Sequence, residues 1–312
     1  MTQSSDRILP GVALMLAFCL IAPLIDVSAK LASATVPVGQ ITTARYVVQA
    51  ALMLPIALVL GPGLRLTPRG LSLVALRALV SILATFTFVW AVSVMPIADA
   101  LAIAFVEPFI LLILGRLIFG DEVGPRRIGA SVVGFCGALL VIQPSLAAFG
   151  WVALMPLSTA LFFALYMLVT RQLSREMHPV PMQFHTAWVG IVMCLPLLAL
   201  GAITGTPSLD VVLPHGTAWA FLFGVGAAAT VSHMAMTYAL KFAPSATLAP
   251  LHYLEIVAAV ALGYWVFGDF PNALTWTGIA VIVASGLYII HRERLTARKA
   301  RQAPRPAPSP AQ

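Results

Sequence analysis

The sequence predicts an all-α membrane protein: ten transmembrane helices built as two inverted five-helix repeats, with both termini cytoplasmic. Three observations carry that expectation. Of 312 residues, 60% are hydrophobic and only 9% charged, against about 25% charged in a soluble domain. Apolar runs of about 20 residues recur along the chain, each long enough to cross a hydrocarbon core about 30 Å thick as a helix that satisfies its own backbone. The third is self-similarity. Moved 148 positions without a gap, Trp90–Glu122 (WAVSVMPIADALAIAFVEPFILLILGRLIFGDE) falls on Tyr238–Phe270 (YALKFAPSATLAPLHYLEIVAAVALGYWVFGDF) with nine of 33 positions identical. The shared residues include Pro96/Pro244, Glu107/Glu255 and Phe119-Gly120-Asp121/Phe267-Gly268-Asp269. Such fixed-offset similarity marks a duplication.

The spans follow in order at 9–31, 38–60, 71–94, 97–119, 126–143, 150–171, 182–204, 216–240, 245–267 and 273–291. Pro- and Gly-bearing pairs separate them, among them Val36-Pro37, Met95-Pro96, Gly124-Pro125, Gln143-Pro144 and Ala243-Pro244. The first run carries Asp26 and Lys30 and lacks a small-x-small cleavage site, so it reads as a retained span. Positive charge then sets the orientation. With the N-terminus inside, the inner loops and tails hold 14 of the 18 Lys and Arg and the outer loops none. Gaining or losing one span destroys this alternation. Five spans per half is an odd number, so the second half lies upside down. Paired halves of this kind place a ligand at the midplane and permit alternating access.

The chain therefore divides into a tail at 1–8, a first repeat at 9–148, a second at 149–291, and a basic Pro/Ala-rich tail at 292–312. The last tail has no hydrophobic pattern and is expected to be disordered. Its Arg and Lys suit anionic lipid headgroups, so the net charge of +7 points to membrane lipids and not to nucleic acid. Cys19, Cys136 and Cys194 lie inside apolar runs without CxxC spacing and read as small core residues.

Ionisable groups inside spans cost about 2.5–3.5 kcal/mol each on insertion scales and are functional candidates by default. Glu107 and Glu255 each lie about nine residues into a span, roughly 14 Å deep at 1.5 Å per residue. Entering from opposite sides, they meet at one depth. They read as proton carriers or cation ligands, or as protonated carboxyls that fix helix packing. His252 shares a face with Glu255. His233 lies on a stripe with Thr230 and Thr237, facing a cavity or another helix. His185 is a weaker candidate. Asp26 and Lys30 are spaced four apart to pair with each other, with Lys30 free to snorkel and contact with substrate the alternative for Asp26. Arg45 is deep enough to neutralise Asp26 or Glu107, or to bind an anionic substrate group. Arg77 is similarly deep from the inner side. Among aromatics, Trp90 and Tyr238 are equivalent by the repeat and, with Tyr166, either pack in the core or stack a planar ligand. Gly129, Gly134 and Gly137, with Gly278 and Gly286, predict close helix approach on spans five and ten, as scaffold or as the face of a homodimer. No HExxH or comparable ligand spacing exists, so neither metal nor cofactor is expected.

Arg45, Leu76-Arg77-Ala78, AVSVMPIADALAIAFVEPFI and FGDEVGPRRIGASVVGFCGALLVIQP (Phe119–Pro144) together resemble the EamA branch of the drug/metabolite transporter superfamily, over nearly the whole chain. The family's usual Leu-Gly-Glu stands here as Phe-Gly-Asp-Glu, and the second copy has Glu255-Ile256 for Glu107-Pro108. The resemblance implies a ten-span bacterial inner-membrane carrier of a small molecule, with spans five and ten outside its cavity. The first half looks most like the subgroup with S-adenosylmethionine and riboflavin uptake proteins. It implies import of a small, partly planar metabolite, riboflavin first. Export of amino acids or drugs is the alternative. A membrane-embedded transferase acting on lipid-linked substrates, or an accessory subunit, is the competing class; no nucleophile motif or Gly-rich phosphate loop supports an enzyme.

Overall fold

A computed structural model describes residues 8–60, 64, 66–119, 125–173, 176–242, 251 and 254–302. Among them are eleven α-helices, two short 3₁₀ turns and no strand. The helices are α1 (Ile8–Ala32), α2 (Val38–Leu60), α3 (Pro68–Val94), α4 (Ile97–Ala104), α5 (Glu107–Phe119), α6 (Pro125–Phe149), α7 (Met155–Leu173), α8 (Pro179–Thr204), α9 (Ala218–Phe242), α10 (Leu254–Phe267) and α11 (Ala273–Gln302). Their starts follow from local chemistry. Thr67 caps α3 by accepting the Gly70 N–H at 3.0 Å, with Pro68 at the first helical position. His178 caps α8 in the same way ahead of Pro179.

Seven helical stretches among the described residues are long and apolar enough to cross a membrane, and Leu254–Phe267 and Ala273–Ser285 are shorter apolar helices. One of the seven, Ile128–Thr170, runs for 43 residues, twice the about 20 that one crossing needs. It is divided at Gly150, whose φ of +64° is open to glycine at no steric cost.

Three boundaries differ from the sequence reading. No break falls at Gln143-Pro144, because α6 runs through Pro144 to Phe149. Membrane helices tolerate an internal proline when neighbours satisfy the freed backbone, and Pro23, Pro55 and Pro196 are also helical. The expected fourth span is two helices, with Phe105 and Val106 between them. Finally, α11 continues to Gln302, into the tail read as disordered. Residues 292–302 hold no Gly or Pro and are rich in Arg, Ala, Lys, Leu and Glu, all good helix formers.

The helices pair across the two halves. α1 packs on α9 and α3 on α7; α2 packs on α9 and α3 on α8; α1 packs on α10 and α5 on α7. Exchanging the halves turns the first member of each couple into the second. α2 lies on α8, and α6 on α11. The α6–α11 seam accounts for Gly137 and Gly278, whereas a Cβ on Gly129 would meet nothing within 4 Å. A Cβ on Gly278 would meet the Val141 side chain at 2.4 Å and the Gly137 carbonyl at 2.7 Å, and one on Gly134 would meet the Phe109 ring at 2.1 Å. Gly134, Gly137 and Gly278 are thus used within the chain. Gly278→Leu is expected to lower stability by about 1–3 kcal/mol through overpacking, read as a lower melting temperature of the detergent-solubilised protein. An unchanged midpoint would mean that the seam is loose.

Candidate substrate cavity

Span four breaks for a reason written at Pro108. That residue has no N–H to give the Ala104 carbonyl, so the helix cannot run through. Phe105 leaves helical geometry (φ −68°, ψ 6°), the Val106 N–H bonds Ile103 in a tighter turn at 3.2 Å, and α5 starts afresh at Glu107. In the second half, α10 is described from Leu254 onward. Each half therefore presents a helix N-terminus with a glutamate in its first turn, Glu107 and Glu255. The positive end of a helix dipole favours a carboxylate there.

Both glutamates are buried and line one cavity of about 150 Å³. Asp26 of α1, Arg45 of α2 and His233 of α9 line it as well, with Ser81, Thr85 and Thr159. So do four phenylalanines: Phe18, Phe88, Phe105 and Phe163. The charge is laid out by helix. Carboxylates come from α1, α5 and α10, and the basic groups from α2 and α9.

Arg45 is 5% exposed. Its guanidinium donates to the Thr85 hydroxyl, to the Tyr46 hydroxyl at 3.4 Å, and meets His233 Nδ1 at 3.2 Å. A guanidinium only donates, so Nδ1 accepts and Nε2 carries the ring proton. The His233 ring lies between Phe18 and Tyr166, at 6.5 and 6.2 Å. Thr230 and Thr237 belong to the helix and not to the cavity: each hydroxyl bonds back one turn at 2.7 Å, to the Gly226 and His233 carbonyls.

Of the other candidates, Arg77 is fully buried outside the cavity lining. It donates to Thr170 at 2.9 Å and to the Thr186 and Tyr166 hydroxyls, and lies 4.4 Å from the Tyr166 ring centre. Tyr166 stacks on Phe163 at 5.5 Å and so backs the lining without joining it. Trp90 meets Phe86 and Trp151 edge-on, and Tyr238 stacks on Phe242; neither lines the cavity. His185 accepts from Trp188 Nε1 at 2.9 Å, away from it. His252 lies outside the described residues. Lys30 does not pair with Asp26. It pairs with Asp269 at 2.8 Å, because Gly268 (φ +72°) turns the chain at the end of α10 and brings Asp269 back over the helix.

Phe18, Phe105 and Phe163, with Ser81, Thr85 and Thr159, escaped the sequence reading. One signal for Thr85 existed: the 148-residue offset that joins Glu107 to Glu255 also joins Thr85 to His233, and both touch Arg45.

Apolar helices long enough to cross a membrane, packed around a cavity lined by buried carboxylates, a guanidinium and an imidazole, are the architecture of a multi-pass membrane transporter. The chain belongs to the EamA-like transporter family, whose model matches residues 9–143 and again 150–291. It is 30% identical to a riboflavin transporter of Rhizobium johnstonii over 72% of this chain and 71% of that one. It is 23% identical to an S-adenosylmethionine uptake transporter of Rickettsia prowazekii (94% and 97% covered), and 25% identical to a pseudopaline exporter of Pseudomonas aeruginosa (82% and 87%). A crystal structure shares the fold with a TM-score of 0.64 at 18% identity, covering 93% of this chain and 99% of its own. The protein is thus a multi-pass bacterial membrane protein whose relatives are named transporters and not enzymes.

Proposed function

We propose that the protein is a secondary transporter that takes up a small, partly planar metabolite across the bacterial inner membrane by alternating access, riboflavin first. One observation carries this reading: four phenylalanines surround the same space as three carboxylates, a guanidinium and an imidazole. Aromatic faces accept a planar ring in stacked or edge-on contact, and a few convergent polar groups fix its orientation. Relatives named for riboflavin transport and S-adenosylmethionine uptake support inward movement of such a ligand.

Glu107 and Glu255 take up a proton or a cationic group, Arg45 holds an anionic or carbonyl group, and His233 and His252 give orienting hydrogen bonds. The halves are 9–148 and 149–291, with ten crossings, opposite orientations and cytoplasmic termini. The exchange of helix pairings, the division at Gly150 and the two matched family segments support this. The cavity of about 150 Å³ is smaller than the about 300–1,000 Å³ of pockets for drug-sized ligands, so the ligand enters a form in which the halves have parted. A relative named as an exporter favours a second reading, outward movement of amino acids or drugs.

The test is uptake of labelled riboflavin in a riboflavin-auxotrophic bacterium without its own uptake system. Saturable entry that unlabelled S-adenosylmethionine leaves alone is expected. Entry blocked by that competitor would make the substrate nucleoside-like. No entry, with the protein present in the membrane, would end the riboflavin assignment and send the search to export.

A further inference from the structure

Two basic residues reach from the first half of the chain onto the second. Lys30, on α1, bonds the Asp269 carboxylate at 2.8 Å and the Met95 carbonyl at 3.2 Å, and lies 4.6 Å from the Phe267 ring centre. Arg77, on α3, holds Thr170 and Tyr166 of α7 and Thr186 of α8. Its partners are hydroxyls and a ring, with no carboxylate among the described residues.

Both stand one turn from the cavity. Asp26 and Ser81 line it; Lys30 follows Asp26 by four residues and Arg77 precedes Ser81 by four. α2 returns between α1 and α3, so α1 and α3 run in the same direction. The two bridges therefore lie on opposite sides of the cavity.

A third group completes the Lys30 side. Asp99, in the first turn of α4, is 8% exposed, and its Oδ1 has no hydrogen-bond partner. Its carboxyl group lies near the Thr275 hydroxyl of α11 and within electrostatic reach of Asp269 and Lys30. Asp99 belongs to the same half as Lys30.

We propose that Lys30 and Arg77 are clasps that hold the two halves together on opposite sides of the cavity, and that Lys30 exchanges Asp269 for Asp99 when its side opens. The inference rests on the alternating-access reading. A cation released in a low-dielectric setting is costly unless a new partner waits, and Asp99 is that partner. On the other side Arg77 leaves three hydroxyls and a ring with no carboxylate waiting for it among the described residues. The clasps therefore differ in strength, and the Lys30 side is the easier to open.

The test needs no substrate, so it stands apart from the riboflavin assay. Cys19, Cys136 and Cys194 are replaced, Ala84 of the cavity lining is changed to Cys, and a membrane-impermeant maleimide is added to right-side-out or inverted vesicles. Lys30→Ala and Asp269→Asn are each expected to speed labelling about tenfold from one side, the effect of one lost charge-assisted hydrogen bond. Arg77→Ala is expected to speed it from the other side. Asp99→Asn is expected to slow it from the Lys30 side, and Lys30→Asp with Asp269→Lys to restore the parental rate. Each variant is first checked by size exclusion, and Asp269→Asn serves if Lys30→Ala fails to fold. Unchanged rates, or the same side opened by Lys30→Ala and Arg77→Ala, would overturn the proposal. Failure of riboflavin entry with opposite-sided labelling would leave it standing.

Discussion

Glu255→Gln protein is expected to reach the membrane in normal amount and to transport about tenfold to hundredfold more slowly than the parent. The size follows from about 1.5–3 kcal/mol for a hydrogen bond to a charged group, at about 1.4 kcal/mol per factor of ten. Gln keeps the volume and a carbonyl acceptor but removes the charge. The site is sensitive to that because Glu255 sits buried in the first turn of α10, where the helix N-terminus favours a carboxylate. Glu107 also lies in the first turn of its helix, α5, so Glu107→Gln should cost a similar factor. If the two act on one bound cation or proton, the double variant should lose less than the product of the single losses, since coupled residues are not additive. Initial rates across pH separate this from a packing role. A Glu255→Gln protein with full rate and unchanged pH dependence would remove Glu255 from the mechanism.

How much of this was legible depended on whether the determining contact was local. The duplicated Glu and Phe-Gly-Asp could be read because the offset is fixed along the chain, and Arg45 and Asp26 stood out because a charge in an apolar run needs a reason. The break of span four had a local signal, Glu107-Pro108, which hydropathy hides because both half-helices are apolar. Pro144 gave the opposite error: in lipid a proline need not end a helix, and the turn came six residues later at Gly150. The Lys30 partner was not legible at all. Asp26 was the near candidate on the same helix, whereas Asp269 is 239 residues away and is brought in only by the packing of α1 on α10. Phe18, Phe105 and Phe163 escaped because an apolar residue in an apolar span carries no mark of the cavity it faces.

Arg45→Lys is the substitution that separates charge from geometry. It keeps the positive charge among Asp26, Glu107 and Glu255, yet it is expected to cut transport about as deeply as Glu255→Gln. The guanidinium is a planar fork that reaches Thr85, Tyr46 and His233 at once. An ammonium is a point donor on a flexible stem and cannot hold the same three directions. Two consequences follow. His233 Nδ1 loses the donor that fixes its tautomer, so the ring proton is no longer committed to Nε2. Thr85, on α3, loses its tie to α2, and with it one wall of the cavity loosens. Were Arg45 only a counter-charge, Lys would serve and the rate would stay within about twofold, since a retained charge keeps most of a screened interaction. The measurement is the initial rate with saturating and with limiting substrate. A rise in the half-saturating concentration alone would place Arg45 in binding. A fall in the maximal rate with binding intact would place it in the movement of α2 against α9, one of the helix pairs that join the two halves at the cavity.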